Sequence, residues 1–305
     1  MAINADTLLD RLYLKSQITK WRVIALLIAV AALVVMAEKY NPRSPIEKDF
    51  IARINIQGFI GDDKKLYELI DDVTDNPKAK AVIVWLDTPG GSAVGGEEIF
   101  LRLRAMSKKK PVVAVMRSIS ASAGYMIALG TDYIIAREGT ITGSIGVILE
   151  AAEVTELLEK VGVKPIIVKS APLKGSPSLM EKATPESTQV LQQVINDFYA
   201  RFVDMVAERR QLPRDKALQL SDGRVFGGRS ALNHKLIDAI GGEEEAVNWL
   251  DSQKHISKQL DIRDMEVKRQ MGFMERIAGS AMGKFFQNSR IPLDGLVAIW
   301  HPELQ

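Results

Sequence analysis

The chain has 305 residues, with 40 lysines and arginines, 38 aspartates and glutamates and three histidines, so its formal net charge is +2. This near-balance argues against a domain whose main role is to bind nucleic acid, because such domains carry a clear basic excess. Hydrophobic residues make up 47% and charged residues 26% of the chain, which is ordinary for a globular protein. The chain has no cysteine, so disulfides, thiolate catalysis and cysteine-ligated metals are excluded.

An apolar run near the N-terminus, Val23–Ala37, contains no charge and no helix breaker. Extended to residues 21–40, with Trp21 and Tyr40 at its ends, it reaches the ~20 residues that cross a ~30 Å hydrocarbon core. We therefore expect a single-pass anchor, with a cleaved secretory signal peptide as the alternative. Basic residues are slightly more frequent before the run than after it, which favours a cytoplasmic N-terminus and places the rest of the chain outside the cytoplasm.

The rest of the chain alternates between strand-like and helix-like segments. Several of the strand-like segments are continuously apolar, which is typical of a parallel sheet with helices on both faces. The sequence therefore predicts an α/β fold. Strands are predicted at 51–56, 81–86, 111–116, 132–136 and 164–169, and helices at 64–73, 97–106 and 185–210.

Two loops, each predicted between a buried strand and a helix, contain the residues with catalytic potential. The first, Asp87–Ser92, has adjacent glycines whose backbone N–H groups suit an anion, although Pro-Gly-Gly is also ordinary turn chemistry. The second, Arg117–Tyr125, contains Ser118, Ser120 and Ser122. Each of these serines could present a nucleophilic Oγ or simply cap the following helix, and spacing alone does not choose among them.

A serine nucleophile needs a base. The only histidines, His234, His255 and His301, lie far downstream, and no His-Glu-x-x-His spacing occurs, so a His-assisted triad or a His-ligated metal is disfavoured. A lysine can act instead when burial lowers its pKa from ~10.4 toward neutrality. Lys174, in a loop after an apolar segment, is available for that role, but on its own it is more simply a solvated surface lysine.

Four motifs in order resemble those of the signal peptide peptidase A family, which are membrane-anchored bacterial serine proteases with a Ser-Lys dyad. The motifs are DTPGGS at 87–92, SASAGY at 120–125, TGSIGV at 142–147 and KSAPLKGSP at 169–177. The likeness runs from about Ile51 to Leu250 and is to the short form with one catalytic unit. It implies a Clp-protease/crotonase-like spiral of strand-strand-helix units after the transmembrane helix, and no metal or cofactor.

The resemblance also implies roles for individual residues. Ser122 would be the nucleophile and Lys174 the general base. The backbone N–H groups of Gly91 and Ala123 would form the oxyanion hole, and Ser144 would orient the lysine. Ala123 stands where the family often has glycine, and a backbone N–H survives that difference.

The function implied by the resemblance is a membrane-anchored serine endopeptidase that degrades cleaved signal peptides or other hydrophobic peptides through an acyl-enzyme. One alternative is a crotonase-like acyl-CoA enzyme, which is disfavoured because no Asp or Glu pair flanks the two loops and because an anchor suits it poorly. The other is a non-catalytic membrane scaffold of the same fold, which the intact serine and lysine disfavour.

The expected organisation is a cytoplasmic segment at 1–20, an anchor at 21–40, a linker at 41–49, a protease domain at 50–260 and a C-terminal extension at 261–305. The chain would lie in the bacterial inner membrane with its catalytic domain on the non-cytoplasmic side. An apolar stripe from Met271 to Phe285 would pack on its own core or form a subunit or membrane contact. Because relatives form closed rings or domes, a homo-oligomer is implied, with the lysine supplied by the same subunit or by a neighbour.

Overall fold

A computed structural model describes residues 5–39, 48–266 and 297–299 of the chain. The chain divides into two compact units, Met1–Lys48 and Asp49–Gln305. The first unit contains helix α1 (Ala5–Lys39), on which the predicted anchor falls except for its last residue, which lies outside the described part. Among the described residues, no helix has the length and apolar character needed to cross a membrane.

The second unit alternates strands and helices. Its strands are β1 (Phe50–Ile60), β2 (Ala79–Ser92), β3 (Val112–Ala121), β4 (Tyr133–Ala136), β5 (Ile141–Gly143), β6 (Val225–Gly227), β7 (Ala239–Ile240), β8 (Asp261–Met265) and β9 (Val297–Ile299). Its helices are α2 (Lys64–Asp75), α3 (Ala93–Ser107), α4 (Ala123–Leu129), α5 (Thr155–Lys160), α6 (Pro185–Arg209), α7 (Arg214–Gln219), α8 (Gly228–Asn233) and α9 (Glu243–Lys254).

Within the described ranges, the strands form one sheet of nine, in the order β6-β5-β3-β2-β1-β8. Off this path, β4 pairs with β3 and β7, and β9 pairs with β2. The pairings between these strands are parallel except for β5 with β6 and β2 with β9. The predicted α/β class with a largely parallel sheet is confirmed.

Side chains alternate across the central strands and enter two apolar clusters, one on each face of the sheet. On β2, Val82 and Val84 join a large cluster with residues of α2, α3, α4 and α6. Ile83, between them, faces a smaller cluster that contains Leu250 of α9. Burial on both faces explains why the strand sequences are continuously apolar.

The two predicted loops are wrong in their extent, because the strands continue into them. β2 runs through the glycine motif as far as Ser92, and β3 runs as far as Ala121. Glycine and proline carry a low strand propensity, so composition hides the continuation. As a result, the glycine and serine motifs lie at the carboxyl ends of two paired parallel strands.

The predicted strand at 164–169 is also wrong. These residues form neither helix nor strand, and Ile166 and Val168 are 91% and 93% exposed. An apolar run has the composition of a buried strand, but a strand also needs a neighbour to pair with, and no described strand pairs here. The predicted stripe from Met271 to Phe285 lies outside the described residues.

Candidate active site

Ser122 stands at the turn from β3 into α4. Its backbone has φ 55° and ψ −117°, a combination that residues other than glycine rarely adopt. Two hydrogen bonds hold this conformation: the Ser122 N–H donates to the Gly143 carbonyl (2.8 Å), and the Met126 N–H donates to the Ser122 carbonyl (3.0 Å). A strained strand-to-helix turn of this kind is how a nucleophile elbow presents its serine Oγ.

The three serines of this segment have different surroundings. Ser118 is exposed on β3, whereas Ser120 is fully buried and its Oγ has no hydrogen-bond partner among the described residues. Ser122 occupies the N-cap position of α4, yet its hydroxyl makes no capping hydrogen bond. The capping alternative therefore does not apply to Ser122, and the geometry favours this serine over the other two.

The glycine motif at the end of β2 is fixed by its close approach to β1. A Cβ added to Gly91 would lie 2.2 Å from the Ile60 carbonyl oxygen, so only glycine fits at this position. Gly90 has φ 118°, in the region that glycine tolerates best. Packing against β1 therefore fixes the backbone that carries the Gly91 N–H, the expected oxyanion donor.

Thr88 connects the glycine motif with the serine motif. Its side chain is fully buried, and its Oγ1 accepts a hydrogen bond from the Gly90 N–H at 3.0 Å. Its methyl group packs at the start of α4, where a Cβ added to Gly124 would lie 2.6 Å from Thr88 Cγ2. The sequence did not single out Thr88, because a threonine inside a strand has no distinctive pattern.

The third motif lies against the Ser122 turn. Gly143 has φ 81°, and a Cβ there would lie 2.5 Å from the Phe226 ring. Ser144 has φ 49°, is 8% exposed and donates its N–H to the Arg224 carbonyl at 2.8 Å. Since the Gly143 carbonyl accepts from Ser122, three of the four motifs meet at the carboxyl ends of β2, β3 and β5.

The fourth motif does not join them through any hydrogen bond in the described part of the chain. Lys174 lies in an exposed turn, where its backbone N–H donates to the Ala171 carbonyl (3.1 Å). Its ammonium group makes no hydrogen bond or ion pair with a described residue, whereas the nearby Lys169 is paired with Glu181. Among the described residues, no hydrogen bond joins Lys174 to Ser122, and the dyad stays a prediction.

The histidines that the structure describes are engaged elsewhere. His234 packs against the Phe226 ring, with centroids 5.4 Å apart, and its Nδ1 lies 2.8 Å from the Ser230 carbonyl oxygen. His255 is the C-cap of α9, and His301 lies outside the described residues. Over the same described ranges, no group of three or more His, Asp or Glu side chains is placed to hold a metal.

Tyr125 packs behind the nucleophile turn. Its side chain is fully buried, and its hydroxyl donates to the Leu236 carbonyl at 2.9 Å. Burial raises the pKa of Tyr125 far above its usual value, so the phenol stays neutral. Its contacts are those of a structural residue.

Comparison with known proteins identifies the class of enzyme. The family model described as peptidase family S49 matches residues 104–257, a stretch that includes Ser122, Ser144 and Lys174. A candidate protease of Synechocystis sp. is 43% identical over 201 residues, which cover 65% of this chain and 72% of that protein. The chain is a serine peptidase. It belongs to peptidase family S49.

A candidate signal peptide peptidase SppA of Enterococcus faecium is 34% identical over 233 residues, which cover 76% of this chain and 65% of that protein. A solved structure of the 1510-N membrane-bound stomatin-specific protease superposes with a TM-score of 0.46 at 19% identity, covering 72% of this chain and 98% of that one. The resemblance to the signal peptide peptidase A family is confirmed by the family match and the sequence relatives.

Proposed function

We propose that the chain is a serine endopeptidase in which Ser122 is the nucleophile and Lys174 the general base, and that it degrades cleaved signal peptides or similar hydrophobic peptides. The observation that carries this proposal is the strained Ser122 turn, held by Gly143 beside the glycine-rich end of β2. A protein keeps such strain where a function requires it.

The proposed reaction passes through an acyl-enzyme. Neutral Lys174 takes the proton of Ser122 Oγ as Oγ attacks the scissile carbonyl carbon. The N–H groups of Gly91 and Ala123 then stabilise the oxyanion, an effect typically worth ~3 kcal/mol per donor. The intermediate expels the amine, which receives the proton from the lysine held by Ser144, and water hydrolyses the acyl-enzyme.

We propose further that Lys174 serves the Ser122 of a neighbouring copy in a homo-oligomer. Lys174 is exposed, and its ammonium group makes no ion pair with a described residue. The segment around it, residues 157–180, carries exposed apolar side chains that a subunit contact would cover. Burial in such a contact would also favour the neutral form of a lysine. The exposed apolar side chains of this segment include Leu157, Val161, Val163, Ile166, Val168, Leu179 and Met180.

Mixing two inactive variants tests completion of the site across subunits. Ser122→Ala and Lys174→Ala chains, dissociated and reassembled together at equal amounts, should regain about one quarter of the wild-type hydrolysis rate, because one contact in four then joins an intact serine to an intact lysine. Each variant reassembled alone is the control. A mixture as inactive as its components would contradict completion by a neighbour.

We also propose that residues 21–40 anchor the chain in the bacterial inner membrane, with the protease domain on the non-cytoplasmic side and folded as a Clp-protease/crotonase-like spiral. Support for the anchor comes from the uncharged run Val23–Ala37 and from exposed apolar side chains on α1, such as Leu26 and Ile28. After alkaline extraction of membranes, the full chain should stay in the pellet and a chain starting at Asn41 should be released.

Hydrolysis of an unstructured protein and of fluorogenic peptides tests the activity itself. Wild type should cleave both, Ser122→Ala neither, and Ser118→Ala should cleave at close to the wild-type rate. Cleavage of an acyl-CoA thioester in place of peptides would favour the crotonase-like alternative. Folded protein that cleaves neither peptides nor the thioester would favour the non-catalytic scaffold.

A further inference from the structure

A cavity of about 380 Å³ opens near the carboxyl ends of β2 and β3, on the face of the sheet where α9 packs. Its lining includes Trp85 of β2, Arg117 of β3, Arg137 after β4 and Glu243 at the start of α9. None of these residues belongs to the four motifs, and the proposed reaction uses none of them. The cavity therefore has no role in the account given so far.

The side chains of this lining offer hydrogen-bond donors that are not in use. The Arg117 guanidinium lies over the Trp85 ring, 4.7 Å from its centroid, and makes no hydrogen bond or ion pair with a described residue. The Arg137 guanidinium makes none within the same ranges, although its backbone N–H donates to Thr140 Oγ1 at 3.0 Å. The buried indole Nε1 of Trp85 also has no partner in the described chain. Because a buried donor without an acceptor is costly, native proteins rarely keep one.

The acidic side chains nearby are already engaged. Glu243 lies in the lining, but its two carboxylate oxygens accept hydrogen bonds from Arg53 Nη1 at 2.9 and 3.2 Å. Asp264 binds the other two nitrogens of the Arg53 guanidinium at 2.6 Å each. Glu138 is paired with Arg229. The unused donors of the cavity therefore need an acceptor from outside the chain.

Arg137 also stands at the positive end of a helix. A Cβ added to Gly242, the N-cap of α9, would lie 2.8 Å from Arg137 Nη2. A cation at a helix N-terminus is unfavourable, because the helix macrodipole is positive there. The Gly242 N–H, which donates to Glu245 Oε2 at 2.5 Å, and the charge of Arg137 both hold the pKa of Glu245 below its usual range. A further anion beside Arg137 would be attracted by the guanidinium and by the helix.

We propose that this cavity binds the free C-terminal carboxylate of a peptide. Every donor named above calls for an acceptor, and a carboxylate is an anion that a guanidinium binds through two parallel hydrogen bonds. Because the chain is a peptidase, the carboxylate it meets is that of a peptide.

The cavity lies within reach of the expected nucleophile, a step that rests on the proposed function because it takes Ser122 for that role. Arg117 precedes Ser122 by five residues, so at ~3.6 Å per residue their Cα atoms are at most about 18 Å apart. An extended peptide of about five or six residues covers that distance. A peptide released by an earlier cleavage ends in a free carboxylate, whereas a segment inside an intact chain does not. The cavity therefore selects released peptides.

Peptide binding tests the site without any need for catalysis. The probes are two forms of one short peptide rich in leucine and alanine, labelled with fluorescein at the N-terminus and ending in a carboxylate or a carboxamide. The protein is the full chain carrying Ser122→Ala. The carboxylate probe should bind about tenfold more tightly in fluorescence anisotropy, because only its end group is charged. Equal affinities of the two probes would overturn the inference.

Arginine variants assign the preference to the cavity. In the same background, Arg117→Gln and Arg137→Gln should each lose most of the tenfold preference, because each removes one guanidinium. The matched control is Arg214→Gln, whose arginine is paired with Asp204 outside the lining and which should keep the preference. A preference that persists in the Arg117→Gln/Arg137→Gln double variant would overturn the inference.

Inorganic phosphate tests the other source of an anion. It should displace the carboxylate probe only at millimolar concentration, because it lacks the peptide contacts that the probe makes. Displacement at micromolar phosphate would assign the cavity to phosphate and overturn a peptide carboxylate as its ligand.

Hydrolysis separates this inference from the proposed function. With Ser122 restored, a fluorogenic peptide that ends in a carboxylate should show a KM about tenfold lower than its carboxamide, at similar kcat. Arg117→Gln should remove that difference. Equal KM values in the wild type would overturn the selection of released peptides. Hydrolysis that survives Ser122→Ala would overturn the proposed nucleophile and leave the probe binding in force.

Discussion

The N–H of Ser122 donates a 2.8 Å hydrogen bond to the carbonyl oxygen of Gly143, the residue before Ser144. This bond ties the strained turn after β3 to the end of β5, which runs parallel beside it. Hydrogen bonding to the neighbouring strand therefore keeps Ser122 in its strained conformation. A change at either residue is expected to move both motifs.

Replacing Ser122 with glycine should stabilise the protein while abolishing hydrolysis. Glycine adopts φ 55° without the steric cost that any Cβ meets, so relief of about 1 kcal/mol is expected, or a melting temperature about 2–4 °C higher. Ser122→Ala is the matched control, because it removes the hydroxyl and keeps the Cβ. Thermal unfolding of the two variants measures the difference, and equal melting temperatures would show that the turn is not strained.

Gly91→Ala should damage both fold and activity. Its Cβ would lie 2.2 Å from the Ile60 carbonyl oxygen, so β1 or β2 must move, at a cost of about 1–3 kcal/mol. Displacement of the oxyanion donor should lower kcat by about 10²–10³-fold. The control is Gly61→Ala, one residue beyond Ile60, where nothing lies within 4 Å of an added Cβ. Similar kcat values for the two variants would contradict the assignment of Gly91.

Thr88 should act as a positioning residue through its hydroxyl. Thr88→Val keeps the shape but loses the bond to the Gly90 N–H, whereas Thr88→Ser keeps the bond and loses the methyl that packs at Gly124. We expect kcat to fall about tenfold or more in Thr88→Val with KM little changed, and to be largely retained in Thr88→Ser. A purely structural role would instead lower the stability of both variants and leave the kcat of the folded protein intact.

Tyr125→Phe should affect stability and leave catalysis alone. The change leaves the buried Leu236 carbonyl without its donor, at a cost of about 1–3 kcal/mol. Because the phenol is held neutral by burial, its loss should not alter the pH profile of hydrolysis. Denaturant unfolding measures the first effect, and kcat across the pH range measures the second. A changed profile would give Tyr125 a part in the reaction.

The sheet could be predicted because burial on both faces makes its central strands continuously apolar, as at 81–86. The same signal failed at 164–169, where an equally apolar run has no pairing partner in the described chain. An apolar composition indicates that a segment is buried, but it does not indicate whether the same chain or another subunit buries it. We propose that a neighbouring copy of the chain buries that segment.

The prediction of the site rests on the order of the four motifs and not on any single residue. Ser118, Ser120 and Ser122 were equivalent by spacing, and the resemblance in motif order chose Ser122. The positive φ of Ser122 favours the same serine for a physical reason that no sequence pattern contains. The packing of Thr88 and the pairing of β9 with β2 were not foreseen, because each depends on a partner that is distant along the chain. Such long-range contacts depend on the whole fold, so a local sequence pattern does not reveal them.

The central claim is that Ser122 is the nucleophile and that Lys174 activates it. The most direct test is to treat the full chain with a fluorophosphonate and to map the adduct by peptide mass spectrometry, following its rate against pH in wild type and in Lys174→Ala. The account predicts one adduct, on Ser122, formed faster as pH rises and slowed about 10²-fold or more without the lysine. An adduct on another serine, or a rate indifferent to Lys174, would contradict it.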